Sequence, residues 1–285
     1  MSTPVYTTLI TAAELAALQA SGAVPVVVVD LDFDLADTAA GAKRYAESHA
    51  AGSLYVHLDD DLCCAKTGRN GRHPLPDRAA FARTVGGLGI GPATQVVALD
   101  GQGGPYAARF WWMLKWLGHD AVAVLDGGIA AWREHGGAVD AVLPQPQAKP
   151  PYPDRPPLVG TVDAAGVAGR DAGVALLDAR SPERFRGDSE PIDKVAGHIP
   201  GALNRFHRAN LDDAGRFKPA AVLKGEFTPL LGGRAPADVI HSCGSGVTAC
   251  HNLLAMAHAG LAGSRLYPGS WSEWSAEPSR PIARG

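Results

Sequence analysis

The chain has 285 residues, of which 46% are hydrophobic and 19% charged, with 26 Lys and Arg against 29 Asp and Glu for a net charge of −3. That balance excludes a disordered chain, and it lacks the basic excess that draws proteins to nucleic acid or anionic membranes. At roughly 100 to 200 residues per domain the length suggests two domains.

The opening Met1-Ser2-Thr3-Pro4 lacks a basic segment followed by an apolar one, so the expected compartment is the cytoplasm, and no apolar run approaches the roughly 18 residues of a membrane helix. In that compartment the four cysteines are expected to be reduced rather than paired. Short β-branched or apolar runs predict strands at residues 24–30, 95–100 and 121–125, then at 174–178, 237–242 and 264–267. Longer segments of helical spacing separate them. This alternation predicts an α/β fold in which mostly parallel sheets are flanked by helices. Between the two sets lies PQPQAKPPYPDRPP, residues 144–157, whose prolines predict an extended, semi-rigid linker. The domains are therefore expected at 1–143 and 158–285.

The two halves repeat one another in order. Asp30 and Asp178 each end a strand, His49-Ala-Ala-Gly52 parallels His198-Ile-Pro-Gly201, Asp100 and Cys243 each open a glycine-rich loop, and Gly127 with Trp132 parallels Gly269 with Trp274. Offsets that drift by only a few residues predict a duplicated domain. His49 and His198 occur in both halves, although only one half has a cysteine at the loop, so they are expected to hold the fold. His241, just before the loop, is also expected to be structural.

The segment most informative about chemistry is Val239-Ile-His-Ser-Cys-Gly-Ser-Gly-Val-Thr-Ala-Cys250. A buried strand delivers Cys243 at its carboxyl end, Gly244 and Gly246 allow backbone N–H groups to turn inward, and a helix beginning near Val247 adds its positive end. The Cys243 sulfur is thus expected in a cradle suited to a negative atom, a nucleophile that needs no histidine base. Backbone N–H groups of residues 244 to 249 are the expected donors, with the Ser245 and Thr248 hydroxyls beside them; for Thr248, helix capping explains the residue equally well. Cys63, Cys64 and Cys250 lack the cradle and read as structural, and no paired zinc spacing is present. No cofactor is called for. A cysteine phosphatase would need an arginine at position 249, which is alanine.

With these residues in hand the chain resembles the tandem-domain rhodanese sulfurtransferases, closest to the 3-mercaptopyruvate branch. The resemblance is carried by Cys243-Gly-Ser-Gly-Val-Thr-Ala249, Leu266-Tyr-Pro-Gly-Ser-Trp-Ser-Glu-Trp274, Gly197-His-Ile-Pro-Gly-Ala202 and Asp126-Gly-Gly-Ile-Ala-Ala-Trp132. It implies an inactive first domain, consistent with Asp100 at the nucleophile position, and a catalytic second one. It also implies transfer of a sulfane sulfur through a Cys243 persulfide to cyanide or a thiol, a thioredoxin-like protein included.

By the same resemblance Arg184, in Arg184-Phe-Arg-Gly187, binds the donor. A second arginine expected before Gly197-His198 is missing, leaving Arg186 or Lys194 as substitutes. Thiosulfate-specific relatives carry basic residues after the cysteine, where this chain has Gly244 and Ser245. That favours mercaptopyruvate, with thiosulfate as the alternative donor and a low-turnover sulfur carrier or regulatory module as the alternative role. Ser245, His73 and Asp61 match the branch's serine, histidine and aspartate, the latter two reaching over from the first half.

Overall fold

The computed structural model describes residues 4–285. Its strands, in chain order, are β1 (Leu9–Ile10), β2 (Val26–Asp30), β3 (His49–Ala50), β4 (Leu54–Tyr55), β5 (Gln95–Leu99), β6 (Val122–Leu125), β7 (Val139–Asp140), β8 (Gly160–Thr161), β9 (Ala175–Asp178), β10 (Leu203–Asn204), β11 (Val239–Ser242) and β12 (Arg265–Leu266). Two of these, β2 and β11, start two residues later than the sequence predicts. Pro25 has no N–H for the ladder, although its carbonyl still accepts from Gln95 N at 2.9 Å. Before β11, Pro236–Asp238 forms a turn of 3-10 helix, which holds the strand off until Val239.

The five-stranded parallel sheet of the first half runs β1-β6-β5-β2-β4, and that of the second half, taken in the same direction, runs β8-β12-β11-β9-β10. The two orders match strand for strand. Even the register is kept, with Leu99 opposite Asp30 and Ser242 opposite Asp178. Asp100 and Cys243 therefore leave their sheets at the same point.

Each sheet buries its own apolar faces. Ile10, Leu15, Val97, Ala123, Leu125 and Trp132 pack together in the first half, and Val167, Leu176, Ile240, Tyr267, Trp271 and Trp274 in the second. Burial at about 25 cal/mol per Å² makes such clusters the main stabilising term. The paired histidines repeat one another as well. His49 stacks on Tyr45 at 3.9 Å and its Nδ1 lies 2.6 Å from the Tyr45 carbonyl; His198 stacks on Phe185 at 3.8 Å with Nδ1 2.8 Å from that carbonyl.

The chain forms two compact units whose boundaries do not follow the sequence alone. The first holds the chain up to Cys63 together with Pro76–Leu158 and Ala214–Arg216; the second holds Cys64–Leu75, Val159–Asp213 and Phe217–Gly285. Segment 144–157 contains no helix or strand, but it is strapped to the first unit rather than free. Lys149 N donates to the Gly86 carbonyl at 2.8 Å, Tyr152 N to that of Ala82 at 2.9 Å, and the Tyr152 ring is buried. A side chain at Gly86 would strike the Pro150 carbonyl at 2.4 Å.

Candidate active site

The strand-loop-helix that carries Cys243 is built from the second unit alone. β11 ends at Ser242, and the helix Thr248–His258 begins six residues later. Gly246 adopts φ +78°, and a side chain there would collide with the Pro268 carbonyl at 2.4 Å. This left-handed turn directs its N–H to the Cys243 sulfur at 3.1 Å. Val247 precedes the helix without a side-chain cap, which makes Thr248 its first residue and excludes the capping reading of that hydroxyl. Val247 and Ser245 are buried, and Cys243 is 1% exposed.

The opposite side of the cysteine is held by Ser270. This is the only non-glycine with positive φ among the described residues, at +52°, and its counterpart in the first repeat is Gly128 at +57°. The Ser270 hydroxyl accepts the Cys243 N–H at 3.1 Å and donates to the Tyr267 carbonyl at 2.9 Å. A serine tolerates this backbone at a cost of order 1–3 kcal/mol, so the hydroxyl occupies a position where glycine would be easier.

Residues 64–75, from the first half of the sequence, complete the site. Cys64 N donates to the Pro74 carbonyl at 3.1 Å, closing the segment into a loop, and Arg72 N donates to Ser272 Oγ at 2.9 Å. This loop sets His73 Nδ1 2.7 Å from the Ser245 hydroxyl, both side chains being buried. It also brings in the Arg72 guanidinium. A side chain at Gly244 would meet Arg72 Nη2 at 2.8 Å and Arg184 Nη2 at 3.5 Å.

Arg72 ends a chain of six alternating charges. Asp178 accepts from Arg180 Nε with both oxygens, at 3.1 Å each, and from Nη2 at 2.7 Å, and this guanidinium also lies 4.8 Å over the Trp271 ring. Arg180 reaches Glu190 at 3.4 Å, Glu190 accepts from Arg184 Nε at 3.0 Å, Arg184 Nη2 donates to Asp193 at 3.0 Å, and Asp193 accepts from Arg72 Nη1 at 2.6 Å. Burial pushes Glu190 up, but the Arg184 guanidinium and the backbone N–H groups of Asp193 and Ile192 outweigh it and hold the carboxyl below its ordinary range. Three arginines and three carboxylates balance, so the chain is an ordered, neutral frame rather than a bare cationic patch.

The remaining sequence candidates fall elsewhere. Arg186 points to the surface, where its Nε pairs with Asp188 at 2.8 Å, and Lys194 is exposed. Asp61 belongs to the first unit, where it ends the short helix Leu58–Asp61 and accepts the His57 N–H at 2.7 Å; burial pushes its carboxyl up. Sequence reasoning takes His73 from the pair Arg72-His73 and passes over its neighbour. Ser270 likewise stands out in the sequence only as part of a motif. All four cysteines are free thiols.

The first unit shows what the same loop does with a different residue. There Asp100 turns its own carboxylate into the cradle: Oδ1 accepts from the N–H groups of Gln102 at 2.9 Å and Gly104 at 2.8 Å, and Oδ2 from those of Tyr106 at 2.9 Å and Ala107 at 3.0 Å. The fold thus shows that this loop concentrates donors on an anion. In the first repeat that anion is built in.

The rhodanese-like domain family matches the chain twice, at residues 11–135 and 165–277. The chain belongs to the tandem-domain sulfurtransferases of the rhodanese family. It is 44% identical over 282 residues to a Pseudomonas aeruginosa protein named as a probable 3-mercaptopyruvate sulfurtransferase, covering 97% of this chain and 98% of that one. Human 3-mercaptopyruvate sulfurtransferase is 32% identical over 92% of this chain and 89% of its own, and thiosulfate sulfurtransferase of Cricetulus griseus is 32% identical over 90% and 88%. Among solved structures, the 3-mercaptopyruvate sulfurtransferase from Leishmania major superposes with a TM-score of 0.84 at 28% identity, covering 94% of this chain and 74% of that one. No helix among the described residues is long and apolar enough to cross a membrane.

Proposed function

We propose that this rhodanese-family protein takes sulfur from 3-mercaptopyruvate onto Cys243 and hands it to a thiol or cyanide. The observation that carries the donor choice is the 2.7 Å contact between Ser245 Oγ and His73 Nδ1, one residue beyond Gly244, beside the cysteine whose sulfur receives the Gly246 N–H. A hydroxyl in contact with an imidazole can pass a proton to a leaving carbanion or enolate.

In the first step the Cys243 thiolate attacks the donor sulfur. The S–S bond forms as the donor's C–S bond breaks, its electron pair departs on the pyruvate enolate, and the Ser245–His73 pair relays the donor's thiol proton to the enolate carbon, which makes pyruvate. The persulfide's outer sulfur takes the negative charge, for which the loop N–H groups are the fitting donors. In the second step an acceptor thiolate or cyanide attacks that sulfur, releasing the acceptor persulfide or thiocyanate and restoring Cys243. Splitting the transfer in two gives ping-pong kinetics.

The free thiols fit work in the cytoplasm against a small thiol or a thioredoxin-like acceptor. Thiosulfate is the second donor to consider, because relatives of similar identity carry that name. Turnover with each donor decides between them: the reading expects pyruvate release in many cycles and a clear preference for mercaptopyruvate. A preference for thiosulfate refutes the donor assignment, and a single stoichiometric transfer points to a carrier. His73→Ala is expected to slow mercaptopyruvate more than thiosulfate, by about 10²-fold or more for loss of a proton-transfer group. Asp61→Asn is tested in the same way; equal losses with both donors would reduce either residue to a structural part.

A further inference from the structure

We propose that Arg72 binds the donor's acid group, forming with Arg184 a clamp over Gly244 in which Arg72 does the work a basic side chain on the cysteine loop would otherwise do. The proposal rests on the donor reading above, but its test is separable from it.

Three observations carry it. First, Arg72 Nε is buried with no hydrogen-bond partner among the described residues, while Nη1 of the same group is held by Asp193 at 2.6 Å. A buried guanidinium donor left open costs free energy unless something fills it, and a carboxylate oxygen is the acceptor that fits a guanidinium edge. Second, the guanidinium lies 2.8 Å from where a side chain at position 244 would begin. Gly244 is thus the space into which Arg72 reaches, one residue from the nucleophile. Third, Arg184 approaches the same point and shares Asp193 with Arg72, so that one carboxylate sets the spacing of two guanidiniums.

Neither Arg186 nor Lys194 supplies this second cation. Arg186 is committed to Asp188 at the surface, and Lys194 is exposed. Because Arg72 and His73 are adjacent, the one loop of residues 64–75 delivers both the group that would hold the acid and the group that touches Ser245. The frame behind them is neutral, which suits a donor carrying a single negative charge better than a dianion.

The test compares two donors that differ only in the acid: 3-mercaptopyruvate and the neutral ketone 1-mercapto-2-propanone. Wild type, Arg72→Ala, Arg72→Lys and Gly244→Ala are measured for kcat and KM with each. Wild type is expected to favour the acid, and Arg72→Ala to lower the acid-to-ketone ratio of kcat/KM at least about tenfold, chiefly through KM, with part of the loss restored in Arg72→Lys. Gly244→Ala, which crowds the guanidinium, is expected to lower the same ratio in the wild-type background and to add little in the Arg72→Ala background. An unchanged ratio in Arg72→Ala overturns the proposal, as does an equal loss with both donors, which would make Arg72 a mere anchor of its loop. Should wild type use thiosulfate and neither mercapto donor, the donor reading fails on its own. The clamp is then judged by whether Arg72→Ala raises KM for thiosulfate, and an unchanged KM refutes it.

Discussion

Around Cys243 each neighbour has a specific task. The Gly246 N–H reaches its sulfur, the Ser270 hydroxyl holds its backbone N–H, and Ser245 with His73 stands one turn of loop away. Ser270 is the informative case, because the other repeat has Gly128 with nearly the same φ. Ser270→Gly relieves the strained backbone while removing the bond to Cys243 N. The expected outcome is a Tm equal to or above wild type together with a fall in the rate of Cys243 sulfuration, read by thermal unfolding and single-turnover kinetics. A variant that keeps full rate would show the hydroxyl to be dispensable, and one that unfolds would show it to be part of the fold. The strand-loop-helix around Cys243 was legible in the sequence, because a strand, two glycines and a helix in succession are a local pattern. Arg72 was not. Its partner Asp193 lies 121 positions away and position 244 lies 172 away, so nothing local distinguishes it from a solvated arginine.

At the scale of elements, the deciding piece is the loop of residues 64–75. It has no helix or strand of its own and is pinned by backbone contacts: Cys64 N to the Pro74 carbonyl, Arg72 N to Ser272 Oγ, and Gly71 packed on the Gly269 carbonyl. Gly71 needs to be glycine, since its φ is +85° and a side chain would stand 3.0 Å from that carbonyl. Gly71→Ala is expected to cost about 1–2 kcal/mol locally and to displace Arg72 and His73 together. Mercaptopyruvate turnover should therefore fall well beyond what the change in Tm accounts for, and proportionate losses in the two would contradict this. The three central strands of each sheet were readable from their apolar runs, whereas the flanking two-residue strands and the ownership of this loop were not. Sequence order assigns it to the first half, and only the folded contacts give it to the second unit. The proline-rich segment shows the same limit, since composition marks it as extended without revealing that Tyr152 buries its ring against the first unit.

At the scale of the molecule, two copies of one sheet carry opposite solutions to the same electrostatic problem. Asp178 is neutralised by Arg180, whereas its counterpart Asp30 has Asp32 in the place of that arginine. Asp30 is 5% exposed, and burial pushes its carboxyl up to about 6, the N–H of Asp32 opposing this only in part and the charges of Asp32 and Asp100 adding to it. A folded value above the unfolded one means that the folded state holds the proton longer, so stability is fully present below about pH 4 and declines as the pH rises through about 6. By pH 7 the loss amounts to at most about 3 kcal/mol. Asp30→Asn keeps an acceptor for the Asp32 N–H, at 3.0 Å in the native chain, and removes the charge. Its Tm at pH 7 is expected to match or exceed wild type, with a flatter profile between pH 4.5 and 7; a lower Tm with the original slope would contradict the burial argument. The duplication itself was legible from four short matches in order. The contrast between an Asp100 carboxyl group that accepts four loop N–H groups and a Cys243 sulfur that accepts from Gly246 required the hydrogen bonds.

The most direct test of sulfur transfer at Cys243 is mass spectrometry of the protein and of its Cys243→Ser variant after exposure to 3-mercaptopyruvate, followed by a thiol. The expected result is a gain of one sulfur atom on the peptide containing Cys243, removed by the thiol and absent from the variant. Sulfur retained on another cysteine, or gained equally by the variant, would contradict the assignment.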